Sequence, residues 1–228
     1  MMSSGELTTR AEGPCLAPKR APSQARAVET YERILSVCAD LLGEVGIERV
    51  STNLICQRAG ITPPGLYQYF PNKYAILHEL GLRLLRHQRL LLLPWARPET
   101  LALPEEELTE SLARLFLSML EVTRLMPAGV WVTRAMRAVP SLQATRLHAH
   151  AQTTELLLQA LRESYPRIDE EQARLTLRLA LDAMHAAYEL SCDDASIDTD
   201  ALARTVSAMV VGQVVKLRPQ GRGSRGAK

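Results

Sequence analysis

Apolar positions along this chain recur at helical spacing, and no stretch shows the strict alternation of a half-buried strand. Ile34, Leu35, Cys38, Leu41, Leu42 and Val45 fall on one stripe of a first helix over residues 30–45. Gly46 follows where a residue in the left-handed region would stop it. Ser51 is placed to cap a second helix running to about Ala59, with Val50 and Ile55 spaced as a hydrophobic staple. Gly60 suits the sharp turn after it. Thr62 is placed to cap a third helix, and Pro63 and Pro64 occupy its first turn, where missing amide hydrogens are tolerated. Phe70-Pro71 closes that helix, because the residue before a proline is pushed out of helical geometry. Short helix, glycine turn and short helix make a helix-turn-helix.

The remaining pattern is helical as well. A fourth helix begins near Asn72 and carries Ile76, Leu77, Leu80, Leu84 and Leu85 on one face, which suits a link between head and body. Residues 94–104 read as a proline-punctuated connection. Helices then follow over about 105–126, with Leu108, Leu112, Leu115, Phe116, Met119 and Leu120 inward, over 128–138 and over 141–164. The last two, over about 169–192 and 198–217, spread apolar residues around the cylinder and so need burial on more than one side. Two such helices suggest a subunit interface through Leu177, Leu181, Met184, Leu202, Val206, Met209 and Val210; a thick monomeric core is the plainer alternative. The division expected is a flexible arm over residues 1–25, a three-helix head over 26–75, a helical body over 76–217 and a disordered basic tail over 218–228.

Chemistry concentrates in residues 62–73. Tyr67 and Tyr69 carry hydroxyls and Lys73 a positive charge, groups suited to phosphate oxygens, while Gln68 can present a donor and an acceptor to a base edge. The stretch lacks an obvious nucleophile or base, so it points to a helix that enters a DNA groove. Tyr67 or Tyr69 packing against the fourth helix is the plainer reading of each.

Composition sets limits. With 228 residues, 46% hydrophobic, 23% charged and a net charge of +2, the chain can build a sizeable core but is not a general nucleic-acid coat. Basic residues of the arm, Lys19, Arg20 and Arg26, are placed to reach an adjacent groove, although a solvated tail fits equally well. No apolar run reads as a signal peptide, and no stretch suits a membrane span. Cys15, Cys38, Cys56 and Cys192 are scattered without metal-ligand spacing, consistent with reduced thiols in a cytoplasm. His148 and His150 would point in different directions on a helix, which disfavours metal. No phosphate loop, nucleophile elbow or catalytic histidine–carboxylate spacing stands out, so no cofactor and no enzyme chemistry is expected.

Ser51-Thr52-Asn53-Leu54-Ile55, Ala59-Gly60-Ile61-Thr62 and Leu66-Tyr67-Gln68-Tyr69-Phe70-Pro71-Asn72-Lys73, in that order, resemble the DNA-binding signature of TetR-type transcriptional regulators. The resemblance covers roughly residues 30–77. Cys56 departs from the usual alanine, and Gly65 stands where a side chain often reaches toward bases. What the resemblance implies is an all-α protein whose N-terminal three-helix DNA-binding domain is joined by a linking helix to a C-terminal helical ligand-binding and dimerisation domain. Thr52, Tyr67, Tyr69 and Lys73 match positions that hold the DNA backbone, and Pro63, Gly65 and Gln68 match groove-facing positions; Thr62 completes the candidate set. Regulators of this type bind an inverted-repeat operator as homodimers and are released by a small-molecule effector. Candidate pocket residues are Phe116, Met119, Trp131, Arg134, His185 and Tyr188, with a hydrophobic or amphipathic ligand in view. A ligand-independent activator or DNA organiser is the alternative, and a helical enzyme a more distant one.

Overall fold

The computed structural model describes residues 14–19 and 23–219, which fold into ten helices with no strand among the described residues. The head holds α1 (Ala25–Arg49), α2 (Thr52–Ala59) and α3 (Pro63–Tyr67). Helix α4 (Lys73–Trp95) leads into a body of α5 (Pro98–Leu101), α6 (Glu105–Leu125), α7 (Gly129–Ala138), α8 (Pro140–Ser164), α9 (Glu170–Asp193) and α10 (Thr199–Lys216). No single helix among the described residues is long and apolar enough to cross a membrane.

The local signals act as the residue chemistry requires. Ser51 Oγ accepts from the Leu54 amide at 3.2 Å, Thr62 Oγ1 from Gly65 at 3.4 Å and Asn72 Oδ1 from Ala75 at 2.9 Å. Each satisfies an amide that its helix's first turn leaves without a partner. Gly60 sits at φ 63° and ψ 37°, the left-handed geometry that turns α2 into α3 without a side-chain clash. Gly46 also has positive φ, at 73° with ψ 166°, and interrupts the helix there as its residue type suggested; a further helical turn to Arg49 follows across the kink. Helix α1 also starts earlier than its apolar stripe, at Ala25.

One core serves head and joint together. Ile34, Leu35, Leu41, Leu42, Ile55, Leu66, Phe70, Ile76 and Leu77 are buried to 2% exposure or less, and Val132, Ala135 and Met136 of α7 join the same cluster. Tyr31 of α1 stacks on Phe70 at 4.8 Å between centroids and meets Tyr69 edge-on at 5.9 Å. Arg83 of α4 forks onto Glu32 of α1 at 2.6 and 2.7 Å. Helix α7 is thus packed on α1 and α4 on one side and on α8 on the other, between head and body.

The body has its own two clusters. Leu108, Leu112, Leu158, Leu161 and Val211 centre one, and Phe116, Tyr188, Ala203 and Val206 the other. Helix α10 lies against α6 and α9, and α9 against α8. Cys38 and Cys56 are buried, Cys15 exposed and Cys192 half-buried, all as free thiols.

The expected arm and tail fall largely on residues 1–13, 20–22 and 220–228, which lie outside the described residues. Part of the arm is not loose. The Lys19 amide donates to the Tyr69 carbonyl at 2.8 Å, Asn72 Nδ2 donates to the Cys15 carbonyl at 3.0 Å, and Leu16 packs on the head core. Residues 15–19 therefore strap the end of the helix-turn-helix.

Candidate nucleic-acid interface and central cavity

Helix α3 rides on the head core through Leu66, which is fully buried, and through the following aromatic pair. The opposite side faces outward. Thr62, Pro63, Pro64 and Gln68 are exposed, Tyr67 is 40% exposed, and Gly65 and Thr52 are half-buried. The Tyr67 hydroxyl and Thr52 Oγ1 lie 3.2 Å apart, so two hydroxyls from α3 and α2 form one polar point at the edge of this face. Gln68, at the C-cap of α3, has its side chain in solvent. Residues 62–68 thus expose the Gln68 amide, the Thr62 and Tyr67 side chains and two prolines.

Two residues of the candidate set stand differently. Tyr69 is buried to 8% exposure against Tyr31, because the turn after α3 directs its ring into the head. Lys73 Nζ donates to the Ile47 carbonyl at 3.0 Å and to the Val50 carbonyl at 2.9 Å. Its ammonium satisfies carbonyls at the end of α1, where no further helix turn does so. The charge expected on phosphate is committed to an internal strut that ties α4 to the α1–α2 corner.

The body holds a partly open cavity of about 370 Å³ lined by α4, α6, α8, α9 and α10, with Leu101 of α5 and Thr133 of α7. Phe116, Met119, His185 and Tyr188 line it, as their positions in the sequence suggested. Trp131 and Arg134 stand outside. Helix α7 turns Val132, Ala135 and Met136 onto the head core, which leaves Trp131 partly exposed beside Gly43 of α1 and Arg134 toward α9. Arg134 there pairs with Glu189 at 3.1 Å and with Asp193, its guanidinium 5.2 Å from the Trp131 ring. The sequence reading missed Trp95, Gln88, Thr123, Thr133, His148 and His150 on the wall. Gln88 and Thr123 hydrogen-bond each other at 3.2 Å, and Trp95 Nε1 donates to Ser111 at 2.9 Å. A polar residue on an otherwise apolar helix face would have been the signal for Gln88.

Burial dominates the electrostatics of this region. It pushes the His150 and His185 imidazoles down to about 4, helped by Arg146 and Arg178 at the first and by Arg137 and Arg146 at the second. Burial also raises the Tyr188 hydroxyl above its ordinary range. Among the described residues, no group of His, Cys, Asp and Glu is arranged to hold a metal ion.

The residues expected at a subunit face differ in exposure within the subunit. Leu177 is 3% and Val206 6% exposed, both packed within the subunit; Leu181, Met184 and Val210 line the cavity, and Leu202 packs on the second body cluster. Of the seven residues expected at an interface, Met209 alone is strongly exposed, at 66%. The exposed apolar side of α9 lies further round, at Leu175, Leu179 and Leu190.

Comparison with known proteins agrees with this architecture. The model of the bacterial regulatory proteins of the tetR family matches residues 34–80. The tetracycline repressor protein class A from transposon 1721 of Escherichia coli is 38% identical over 48 residues, which are 21% of this chain and 22% of that protein. The match thus spans about a fifth of the curated relative's length. Among solved structures, the fatty acid degradation regulator FadR of Bacillus halodurans superposes with a TM-score of 0.57 at 17% identity, covering 84% of this chain and 97% of that one. SmeT, the repressor of the Stenotrophomonas maltophilia multidrug efflux pump SmeDEF, gives 0.57 at 16% identity over 85% and 90%. A TetR-family regulator of Streptomyces coelicolor gives 0.53 at 20% over 82% and 99%. The head thus matches the tetR-family model over residues 34–80, and the chain as a whole shares the all-helical fold of these solved regulators.

Proposed function

We propose that the protein is a sequence-specific DNA-binding repressor that acts as a dimer on an inverted repeat and is released by a small hydrophobic or amphipathic effector. The observation that carries the reading is the exposed side of α3, packed from behind by Leu66, Phe70 and Tyr31 while Pro63, Tyr67 and Gln68 stay exposed. A helix so presented fits a major groove, with Gln68 reading a base edge and the Tyr67 and Thr52 hydroxyls donating to phosphate. Gly65 removes a side chain from the groove side, which lets the helix backbone lie close to the bases. Lys73 then acts as a positioning residue for the corner that presents Thr52.

Dimerisation is supported by the apolar side chains of Leu175, Leu179, Leu190 and Met209, which leave a greasy face on the last two helices. A second copy covering that face makes a four-helix interface and sets two α3 helices on successive major grooves, about 34 Å apart. The cavity supports effector control, and α7 supplies the route. Thr133 of α7 touches the cavity while Val132, Ala135 and Met136 of the same helix pack on α1 and α4. A ligand that shifts α7 changes the seating of the head, and so the spacing of two heads in a dimer.

The test is selection of bound sequences from random duplex DNA with the full chain, repeated with small apolar compounds added. The reading expects a palindromic motif whose affinity falls steeply with salt and which one compound abolishes. Enrichment of no motif, or binding indifferent to salt, contradicts it.

A further inference from the structure

Among the described residues, the walls of the cavity carry arginine and histidine but no aspartate or glutamate. Arg86, Arg89, His148, His150 and His185 line it, and every other lining residue is uncharged. A cationic ligand would find no countercharge there. Behind the inner histidines the imbalance deepens. Asp182 alone answers three guanidiniums, at 2.8 Å from Arg137, 3.7 Å from Arg146 and 3.9 Å from Arg178. The Arg146 side chain is only 13% exposed, and its Nε and Nη1 have no hydrogen-bond partner. His150 Nδ1, His185 Nε2, the Tyr188 hydroxyl and Glu189 Oε1 are also buried without hydrogen-bond partners; Glu189 Oε1 lies 3.4 Å from His185 Nε2 outside hydrogen-bonding geometry, and the other Glu189 oxygen is paired with Arg134 at 3.1 Å. Buried polar atoms are ordinarily satisfied, so a cluster of unsatisfied ones asks for a missing partner. Three guanidiniums on one carboxylate, with Arg146 the buried one, leave a surplus of positive charge at this end, so the partner that fits is an anion.

We propose that the effector is a weak acid with an apolar body. Its carboxylate seats at the His150–His185–Tyr188 end of the cavity, backed by Arg146, and its body lies among the leucines and valines of α6, α9 and α10. This rests on the reading of the cavity as an effector site and narrows it to one chemical class. The two imidazoles, held neutral by burial and by the nearby guanidiniums, would gain a countercharge when the acid enters. Arg86 and Arg89 at the α4 wall favour the approach of an anion over a cation.

The experiment compares three probes that share a flexible ten-carbon chain: decanoate, methyl decanoate and 1-decanol. Each is titrated against the full chain preloaded with the neutral dye Nile red, and dye displacement is read. Decanoate is expected to displace the dye at least about tenfold more tightly than the ester or the alcohol, the size of a charge-assisted hydrogen-bonded contact. In Arg146→Met and, separately, His150→Leu, that preference is expected to shrink to about twofold while the affinity for 1-decanol is kept, which shows that the cavity is intact. Equal binding of all three probes overturns the acid assignment and leaves the cavity reading standing. A decanoate preference untouched by both substitutions overturns the placement of the head group. Failure of every probe to displace the dye removes both the assignment and the effector reading beneath it.

Discussion

Replacing Lys73 by methionine separates two roles that the residue type alone does not. The side chain keeps most of its apolar length and loses only the ammonium, which donates to the Ile47 and Val50 carbonyls at 3.0 and 2.9 Å. Hydrogen bonds to a charged group contribute about 1.5–3 kcal/mol each, and part of that is returned because the substituted side chain no longer holds a charge away from water. The net loss expected is about 2–3 kcal/mol, which for a domain of this size lowers the melting temperature by roughly 5–10 °C. Thermal and urea unfolding of the full chain reads it directly. A phosphate contact would behave otherwise, since each one removed flattens the dependence of log affinity on log salt by about 0.9. The account expects the stability loss with little change in that slope. Stability within about 0.5 kcal/mol of the parent, together with a slope flattened by about one, would refute the strut and return Lys73 to the DNA backbone.

Other perturbations follow from single contacts. A Cβ at Gly129 would meet the Thr123 carbonyl oxygen at 2.0 Å, so Gly129→Ala must displace backbone at the α6–α7 turn and is expected to cost about 3 kcal/mol by urea unfolding. Substituting Met209, 66% exposed on α10, by glutamate is expected to convert dimers to monomers in sedimentation and to weaken operator binding, without lowering the helical content of the subunit. His150 and His185 have folded values near 4 against an unfolded value of about 6.5. The unfolded chain therefore takes up protons first as pH falls, and the stability these two contribute is whole above about 6.5, declines through the interval and is gone below about 4. Allowing for partial solvent access, the pair accounts for about 1–2 kcal/mol of acid-side loss, and His185→Gln should remove about half of it in unfolding curves taken from pH 7 to 4.

The head was legible because its signals are local. Ser51, Thr62 and Asn72 cap their helices through side-chain oxygens three residues from the amides they bind, and Gly60 takes the one conformation that the turn demands. The body was legible as helices but not as faces. Helix α7 has apolar residues on more than one side, and its contact with the head core decides that Val132 and Met136 go in while Trp131 turns out. On α9 the spread of apolar positions announced burial on two sides, yet it did not say that Leu177 belongs to the subunit and Leu175 and Leu179 to the outside. Lys73 shows the same limit at one residue: its charge suits phosphate, and only the folded corner reveals two carbonyls within reach.

The central claim is that the exposed side of α3 reads DNA. It is tested most directly by comparing the sequences that the parent chain and its Gln68→Ala variant enrich from random duplexes at matched salt. A palindrome with half-sites one helical turn apart, altered at the same position of each half-site by the substitution, is the predicted result. Identical motifs from both chains, or none from the parent, would contradict it.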